Sequence, residues 1–214
     1  MADLTLMTFD WVPEPPRGFV RDLRVRWALE EMGQAYATRL YDRRVSGPED
    51  RMQEQPFGQV PAFRDGDVAM FESGAICLHL AERSEALLPT DPATRALAQS
   101  WTIAALASVE PYISMLQMVC LFDADKPGAA EFAPSVEARL ADRLDQLAAA
   151  LGESEWLTSQ FTVADVIMIT VLRQLWRNDR LESFPKLAAY VRRGEARPAF
   201  QRALAAQLAD FESE

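Results

Sequence analysis

Two short segments of this chain carry residue types that could hold a peptide-like ligand. The first is Gly58-Gln59-Val60-Pro61, which enters a predicted strand from a polar stretch. A proline at the start of a strand has no N–H to give to the sheet. If the Val60–Pro61 bond is cis, the backbone N–H and C=O of Val60 turn outward, where an extended peptide could pair with them as a further strand does. A plain loop proline is the alternative interpretation.

The second segment is Phe71 to Ile76, where a predicted strand runs directly into a helix. Ser73 stands at the start of that helix, where free backbone N–H groups and the helix dipole attract an anion. Its hydroxyl can join them on a carboxylate, while Glu72 can pair with an ammonium group. The two residues together suit the zwitterionic end of an amino acid. The alternative is a serine that only caps its helix.

Strand and helix patterns alternate in the first part of the chain. The apolar spacing and the turn residues predict a mixed sheet, built from a parallel β-α-β unit and an antiparallel hairpin. Ser46 to Gln55 is polar and predicts a short exposed helix or a loop. The predicted strands cover residues 4–9, 35–41, 60–63 and 68–71, the hairpin turn covers 64–67, and the helices cover 19–32 and 73–84.

Only helical patterns follow the proline-marked connector Leu88 to Pro92. Pro111 lies inside the first of these helices, where a proline costs about 3 kcal/mol or bends the helix. We therefore predict two domains, an α/β domain over residues 1–84 and an all-α helical bundle over residues 85–214. The predicted helices of the second domain cover residues 93–121, 135–151, 163–176, 187–193 and 199–211.

The composition argues against several classes of function. The chain has 214 residues and a net charge of −10, which disfavours a nucleic-acid partner because phosphate binding needs clustered Lys and Arg. His79 is the only histidine, and no Cys or His spacing suggests a metal site. Cys77 and Cys120 lie in apolar helical runs and are predicted to be buried, reduced thiols, with a disulfide or a catalytic role as the alternative. Without a basic leader or an apolar run of membrane-spanning length, a cytoplasmic protein with no membrane partner is expected.

In this order, the segments resemble the motifs of the cytosolic glutathione S-transferase family. Gln55 to Pro61 resembles its Asn-Pro-x-Gly-x-Val-Pro segment, with glutamine in place of the asparagine. Glu72 to Ile76 resembles its Glu-Ser-x-Ala-Ile segment, and Leu87 to Pro89 resembles the Leu-x-Pro of its interdomain linker. Phe161 to Asp165 is similar to a motif of its sixth helix. The resemblance is of a bacterial-like type, spans roughly residues 4 to 205, and assigns no class within the family.

The resemblance implies a thioredoxin-like N-terminal domain that binds glutathione, followed by an all-α C-terminal domain. Val60 would pair its backbone with the cysteinyl part of glutathione, with Pro61 in the cis form. Glu72 and Ser73 would hold the γ-glutamyl end, and Gln59 would lie next to the glycyl arm. Glutathione would be the co-substrate, and no metal is implied.

A second substrate and a second copy of the chain also follow from the resemblance. A small electrophile would lie between the glutathione site and the helices after residue 93. Trp11, Ser108 and Tyr112 are the residues predicted to line this pocket, and ordinary packing is their alternative role. The family expectation for the assembly is a homodimer.

Thr162 and Asp165 carry a folding signal that can be interpreted without the family. Thr162 is a helix N-cap, and Asp165, three residues on, can return a bond to the Thr162 N–H. Such a capping box contributes about 1 kcal/mol to stability and is not a catalytic site.

The segment that should activate the glutathione thiol departs from the family pattern. The family uses a Tyr, Ser or Cys after the first strand or at the start of the first helix, because a donor aimed at the sulfur lowers the thiol pKa. Between residues 9 and 27 this chain has no Tyr, Ser, Thr or Cys. When Arg24 to Leu29 is matched to the Arg-Val-Arg-x-Ala-Leu of some classes, the usual serine and cysteine positions hold Phe19, Val20 and Arg21.

Arginine is the residue type that could take over this task. Arg17, Arg21 and Arg24 are spaced four and three apart, so they share one line if the first helix reaches back to Arg17. A cation near the sulfur stabilises the thiolate by its charge. Arginine cannot act as a base at neutral pH, so the role of Arg17 and Arg21 would be electrostatic. Ion pairs with nearby acids on the surface are the alternative.

Three hypotheses for function follow. The first is a glutathione transferase-like enzyme that adds or uses the glutathione thiol on small electrophiles. The second, motivated by the missing hydroxyl, is a protein that binds glutathione or another ligand without chemistry, or that uses the fold for protein contacts. The third, a disulfide oxidoreductase, would need a reactive cysteine at the start of the first helix, where the sequence has none.

Overall fold

The computed structural model describes residues 4–42, 44, 47–178 and 180–212. Contacts divide the chain into two compact units. The first runs to Thr90 and also includes the chain from Glu195 onward, and the second is Asp91–Gly194. The domain boundary near residue 84 stays a prediction.

The first unit contains the predicted mixed sheet of four strands. The strands β1 (Leu4–Phe9), β2 (Ala37–Tyr41), β3 (Ala62–Asp65) and β4 (Val68–Phe71) lie in the order β2-β1-β3-β4. β1 pairs with β2 in parallel, and β3 pairs with β1 and β4 in antiparallel fashion. The hairpin loop is only Gly66 and Asp67, and Gly66 has the positive φ of 58° that a two-residue turn of this kind needs at its first position. The thioredoxin-like architecture expected for this part is confirmed.

Helix α1 (Asp22–Glu31) begins three residues later than predicted. The reason is the proline-rich stretch before it, which forms turns in which the Phe19 N–H bonds to the Pro16 carbonyl at 3.0 Å. Burial on two sides is confirmed, because every residue from Asp22 to Leu29 is buried. The Trp27 ring meets Phe200 of helix α8 (Pro198–Glu212) edge to face, with ring centroids 4.9 Å apart.

A buried polar network joins α1 to α8. The Arg26 guanidinium contacts Asp22 at 2.7 Å and Asp210 at 2.5 Å, and the Gln207 amide donates to Asp22 at 2.6 Å. Asp22 and Gln207 are 0% exposed and Arg26 is 1% exposed. Burial raises the pKa of the Asp22 carboxyl even though Arg26 and Gln207 act to lower it. The buried side chains of this network therefore depend on one another for their ion pairs and hydrogen bonds.

The only histidine of the chain belongs to a smaller polar cluster between the hairpin and helix α2 (Ser73–Ala81). The Asp65 carboxylate contacts His79 Nε2 at 2.8 Å and accepts a hydrogen bond from Arg83. The bond to His79 and the charge of Arg83 hold the pKa of Asp65 below its ordinary value. His79 thus helps to fix α2 against the sheet.

The second unit opens with a helical stretch whose interruption at Pro111 is confirmed. It consists of α3 (Pro92–Ala104), a π-helical turn (Ala105–Val109), α4 (Glu110–Gln117) and a second π-helical turn (Met118–Phe122). A proline has no N–H for the carbonyl four residues before it and clashes with that carbonyl, so the ladder widens in the turn that precedes Pro111.

This stretch also corrects an expectation about membranes. Among the residues that the structure describes, the 31 residues of Pro92–Phe122 are long and apolar enough to cross a membrane by length and composition. No apolar run of membrane-spanning length was predicted from the sequence, in which Glu110 and Pro111 stand among the apolar residues of this stretch. One helix of this kind is weak evidence for a membrane span, since core helices of soluble proteins pass the same test, and 28% of its most apolar window is buried.

Among the described residues, three further α-helices follow in this part of the chain: α5 (Ala129–Leu151), α6 (Val163–Leu172) and α7 (Pro185–Glu195). α5 begins six residues earlier than predicted and passes through Pro134, which gives up one backbone bond near the start of a 23-residue helix. α6 ends at Leu172 and is followed by a 3₁₀ turn instead of continuing to residue 176. The expected all-α character of the C-terminal part is confirmed.

Candidate functional site

The Val60–Pro61 bond is cis, as the resemblance implies. Pro61 is buried and Val60 is half-buried, packed against the small core cluster of Met7, Tyr41 and Ala62. β3 begins at Ala62 and not at Val60, because Pro61 has no N–H to give to the sheet. The backbone of Val60 thus lies just outside the sheet.

The loop before this bond is held by a side chain that sequence reasoning treated only as a replacement. Gln55 is 2% exposed, and its side-chain oxygen accepts hydrogen bonds from the backbone N–H of Phe57 at 2.6 Å and of Gln59 at 3.2 Å. Gln55 therefore does for this loop what a short polar side chain does in an Asx-type turn. The Gln59 side chain is exposed, and it is the Gln55 side chain that makes these loop hydrogen bonds.

Two further residues fix the loop. The buried Arg51 donates from Nε to the Gly58 carbonyl at 2.9 Å, and its guanidinium lies 5.1 Å from the centre of the Phe9 ring. Gly58 has φ 64°, and a Cβ at this position would come within 2.6 Å of Pro48 Cβ. Only glycine fits there, which explains the glycine of the Gly58 to Pro61 segment.

Glu72 has a backbone conformation that non-glycine residues rarely adopt. Its φ is 67°, and it is the only non-glycine residue with positive φ in the described part of the chain. Such strain persists where surrounding structure imposes it, and it concentrates at functional sites. The exposed Glu72 side chain is followed by Ser73, the first residue of α2, which is 4% exposed.

The register of the hairpin brings the two segments to the same place. Ala62 of β3 lies opposite Phe71 of β4. Pro61 directly precedes Ala62 and Glu72 directly follows Phe71, so both segments leave the hairpin at one end. The rings of Phe57 and Phe71 meet edge to face across this end, with centroids 6.4 Å apart.

A buried cation contacts Ser73, and sequence reasoning did not assign it to this place. Arg24 of α1 is 2% exposed and donates from Nη1 to the Ser73 hydroxyl at 3.1 Å. In the sequence, the only indication of this contact is an arginine on an otherwise apolar face of the first helix. Cys77, one turn further along α2, is buried, and burial raises the pKa of its thiol to about 12 although Arg24 acts to lower it.

The two cysteines lie in helical segments, as the sequence predicted. Both cysteines are free thiols; Cys77 is buried as predicted, whereas Cys120, in the π-helical turn at the end of the long helical stretch, is only half-buried. Within the described residues, no group of three His, Cys, Asp or Glu side chains could hold a metal ion.

The line of three arginines depends on a helix that reaches back to Arg17, and α1 does not. Arg17 is half-buried in the turns before α1, and its Nε donates to the Val12 carbonyl at 3.2 Å. Arg21 is exposed and directly precedes α1, while Arg24 faces α2. The electrostatic role of Arg17 and Arg21 stays a prediction.

The residues predicted to line an electrophile pocket belong to different units. Trp11 is half-buried in the loop after β1. Ser108 lies in the first π-helical turn and Tyr112 in α4, where the Arg143 guanidinium is 5.7 Å from the centre of the tyrosine ring. Their role also stays a prediction.

Comparisons with known proteins agree with the fold and with the motifs. Residues 16–82 match the family model of the glutathione S-transferase N-terminal domain, and residues 113–207 match that of the C-terminal domain. The glutathione S-transferase GstA of Escherichia coli O157:H7 is 30% identical over 174 residues, which cover 78% of this chain and 83% of that protein. Glutathione S-transferase F14 of Arabidopsis thaliana is 31% identical over 158 residues, covering 68% of this chain and 62% of that protein.

Solved structures of similar fold include two bacterial transferases. A glutathione transferase of Pseudomonas putida, solved with one glutathione disulfide per subunit, has a TM-score of 0.79 at 24% identity and covers 95% of this chain and 91% of its own. A family member of Pseudomonas fluorescens, solved with two glutathione molecules, has a TM-score of 0.82 at 22% identity, covering 95% and 92%. This chain belongs to the glutathione S-transferase family.

Proposed function

We propose that the chain binds glutathione at the end of the β3–β4 hairpin and uses its thiol on small electrophiles. The observation that carries this proposal is the register of the hairpin, which puts the cis Val60–Pro61 bond and the Glu72-Ser73 pair side by side. The first offers a backbone that lies just outside the sheet, and the second offers groups for an amino-acid end. Glutathione matches both segments, because its γ-glutamyl zwitterion lies next to its cysteinyl peptide group.

Each part of the ligand has a proposed partner. The Val60 backbone pairs with the cysteinyl residue, and Pro61 fixes its direction. The Glu72 carboxylate pairs with the ammonium group, and the Ser73 hydroxyl with the N-terminus of α2 binds the carboxylate. Gln59 is next to the glycyl arm. The transferase named GstA and the glutathione-bound Pseudomonas structures support this ligand.

The activation of the thiol is proposed to be electrostatic. No hydroxyl or thiol side chain lies between residues 9 and 27, and the N-terminus of α1 has no side-chain cap. Arg21 directly precedes that N-terminus, and Arg17 lies in the turns before it. Their charges and the positive end of α1 act in the same direction, lowering the pKa of a nearby thiol.

Glutathione titration of the wild type and matched variants tests the proposal. We expect saturable binding by calorimetry, a loss of about tenfold or more in Glu72→Ala, and no change in Glu82→Ala, which alters an exposed acid at the other end of α2. The bound thiol, followed by thiolate absorbance, should ionise at lower pH than free glutathione, and Arg21→Met or Arg17→Met should raise its pKa.

The possible failures separate the hypotheses. Absence of glutathione binding would overturn the site itself. Binding with an unaltered thiol pKa would overturn the role of the arginines. Binding without conjugation of aromatic halides above background would favour the non-catalytic binding protein.

We also infer a homodimer in the cytoplasm. Many large apolar side chains on Pro92–Phe122 are exposed, and such a face needs a partner surface. Two free cysteines suit a reducing compartment. Sedimentation should give twice the 24.0 kDa mass of the chain, and a monomer at the concentrations of the binding experiment would contradict the dimer.

The proposed contacts of the electrophile remain Trp11, Ser108 and Tyr112.

A further inference from the structure

Arg24 determines how the Ser73 hydroxyl can be used. A serine hydroxyl has one proton to donate and two lone pairs that accept, whereas a guanidinium only donates. The 3.1 Å contact from Arg24 Nη1 therefore occupies a lone pair of Ser73 Oγ. The hydroxyl proton cannot point at the guanidinium, so it stays available for a different acceptor.

Burial strengthens the electrostatic effect of the Arg24 charge at this contact. Arg24 is 2% exposed and Ser73 is 4% exposed, so water screens the positive charge poorly. The charge lies behind the first residue of α2, where the helix dipole is already positive. An anion that accepts from the Ser73 hydroxyl thus meets a charge-supported donor, which binds more strongly than a neutral hydroxyl.

We propose that Arg24 is a positioning residue that makes the N-terminus of α2 selective for a carboxylate, holding the Ser73 hydroxyl as a donor and placing a full positive charge behind it. This rests on the proposed function, in which the carboxylate is that of the γ-glutamyl group. Arg24 does not touch the ligand; it acts through Ser73. A merely structural role, joining α1 to α2, would support every ligand of the site equally.

Two peptides distinguish these roles. Glutathione carries the carboxylate, and 4-aminobutyryl-cysteinyl-glycine is the same peptide without it. In Arg24→Met we expect glutathione binding to weaken by roughly tenfold or more, and the affinity for the analogue to stay within about threefold. In Arg24→Lys, which keeps the charge, a clear preference for glutathione should remain.

Coupling with Ser73 provides the second readout. The loss caused by Ser73→Ala should be smaller in the Arg24→Met background than in the wild type, because both changes remove the same donor to the carboxylate. Thermal unfolding of each variant shows whether it is folded. If Arg24→Met does not fold, Arg24→Gln and Arg24→Lys form the test pair, and the neutral glutamine should lose the preference that lysine keeps.

Three results would overturn the proposal. They are equal weakening of both peptides in Arg24→Met, an unchanged preference in both Arg24→Gln and Arg24→Lys, and additive losses with Ser73→Ala. Failure of the proposed function looks different, since the wild type itself would then not bind glutathione. Wild-type binding with unaffected Arg24 variants would overturn only the role of Arg24.

Discussion

Replacing Arg26 with methionine should lower the free energy of unfolding by about 3–5 kcal/mol at neutral pH. Arg26 is the cation between the fully buried Asp22 carboxylate and the partly exposed Asp210 carboxylate. Methionine fills much of the same space but leaves the Asp22 carboxyl fully buried and without its cation. Removing one partner of a buried ion pair costs far more than the pair itself contributes. Urea denaturation of the wild type and the variant measures the loss.

The loss should depend on pH in a defined direction. Burial already raises the pKa of Asp22, and without Arg26 that pKa rises further. An acid whose pKa is higher in the folded state binds its proton more tightly there, so its cost is absent below the unfolded pKa and grows as pH rises above it. Arg26→Met should therefore be closer to the wild type at acidic pH than at neutral pH.

The control lies on the same pair of helices. Arg202 of α8 pairs with Glu30 of α1 at 2.6 Å, but its side chain is 56% exposed. Arg202→Met should cost about 1 kcal/mol or less, because exposed pairs contribute little. Asp22→Asn combined with Arg26→Met should recover part of the loss. Equal losses in Arg26→Met and Arg202→Met would show that burial of the pair does not matter.

Local features explain how much of the fold could be predicted. The two strands of the hairpin flank the predicted turn at Gly66, and the Glu72-Ser73 pair stands where a strand becomes a helix, so the predicted and observed positions agree within a few residues. The predicted ends of the helices were less accurate than the predicted strands. The apolar spacing extends back to Phe19, but the Phe19 N–H is already used in a turn with Pro16, so α1 cannot begin there.

Contacts between distant residues explain what the sequence could not reveal. Arg24 and Ser73 are 49 residues apart, and Asp22 and Gln207 are 185 apart. Spacing shows that α1 is buried on two sides, but it does not show which neighbour meets a given side chain. A buried arginine and a surface arginine look the same in the sequence, which is why Arg17 and Arg21 were chosen and Arg24 was not.

Asp165 was predicted as one half of a capping box, and the structure gives it more partners. The box is confirmed, because the Asp165 carboxylate accepts from the Thr162 N–H at 2.8 Å. The same carboxylate also accepts from the Leu157 N–H at 3.0 Å and from the Tyr190 hydroxyl at 2.8 Å. Asp165 is 0% exposed. It therefore connects the start of α6 to the preceding loop and to α7.

Asp165→Ala should lower the free energy of unfolding by about 4 kcal/mol, well beyond the value of about 1 kcal/mol expected of a cap alone. Two buried backbone N–H groups and a buried tyrosine hydroxyl would lose their acceptor, at about 1–3 kcal/mol each, and the relaxation of the site returns part of this sum. Asp165→Asn keeps one acceptor oxygen but turns an NH₂ group toward donors, so its loss should be intermediate. Urea denaturation ranks the three proteins.

Asp91 offers the matched control within the same unit. It caps α3, and its carboxylate accepts from the Thr94 N–H at 2.9 Å and the Thr94 hydroxyl at 2.8 Å, but the residue is exposed. Water can replace the lost acceptor there, so Asp91→Ala should have a much smaller effect than Asp165→Ala. Both variants remove a carboxylate from the start of a helix, Asp91 from the N-cap of α3 and Asp165 from the third residue of α6, and the two sites differ in burial and in the number of donors. Similar losses in both would mean that capping alone accounts for Asp165, and that its bonds to Leu157 and Tyr190 add nothing to stability.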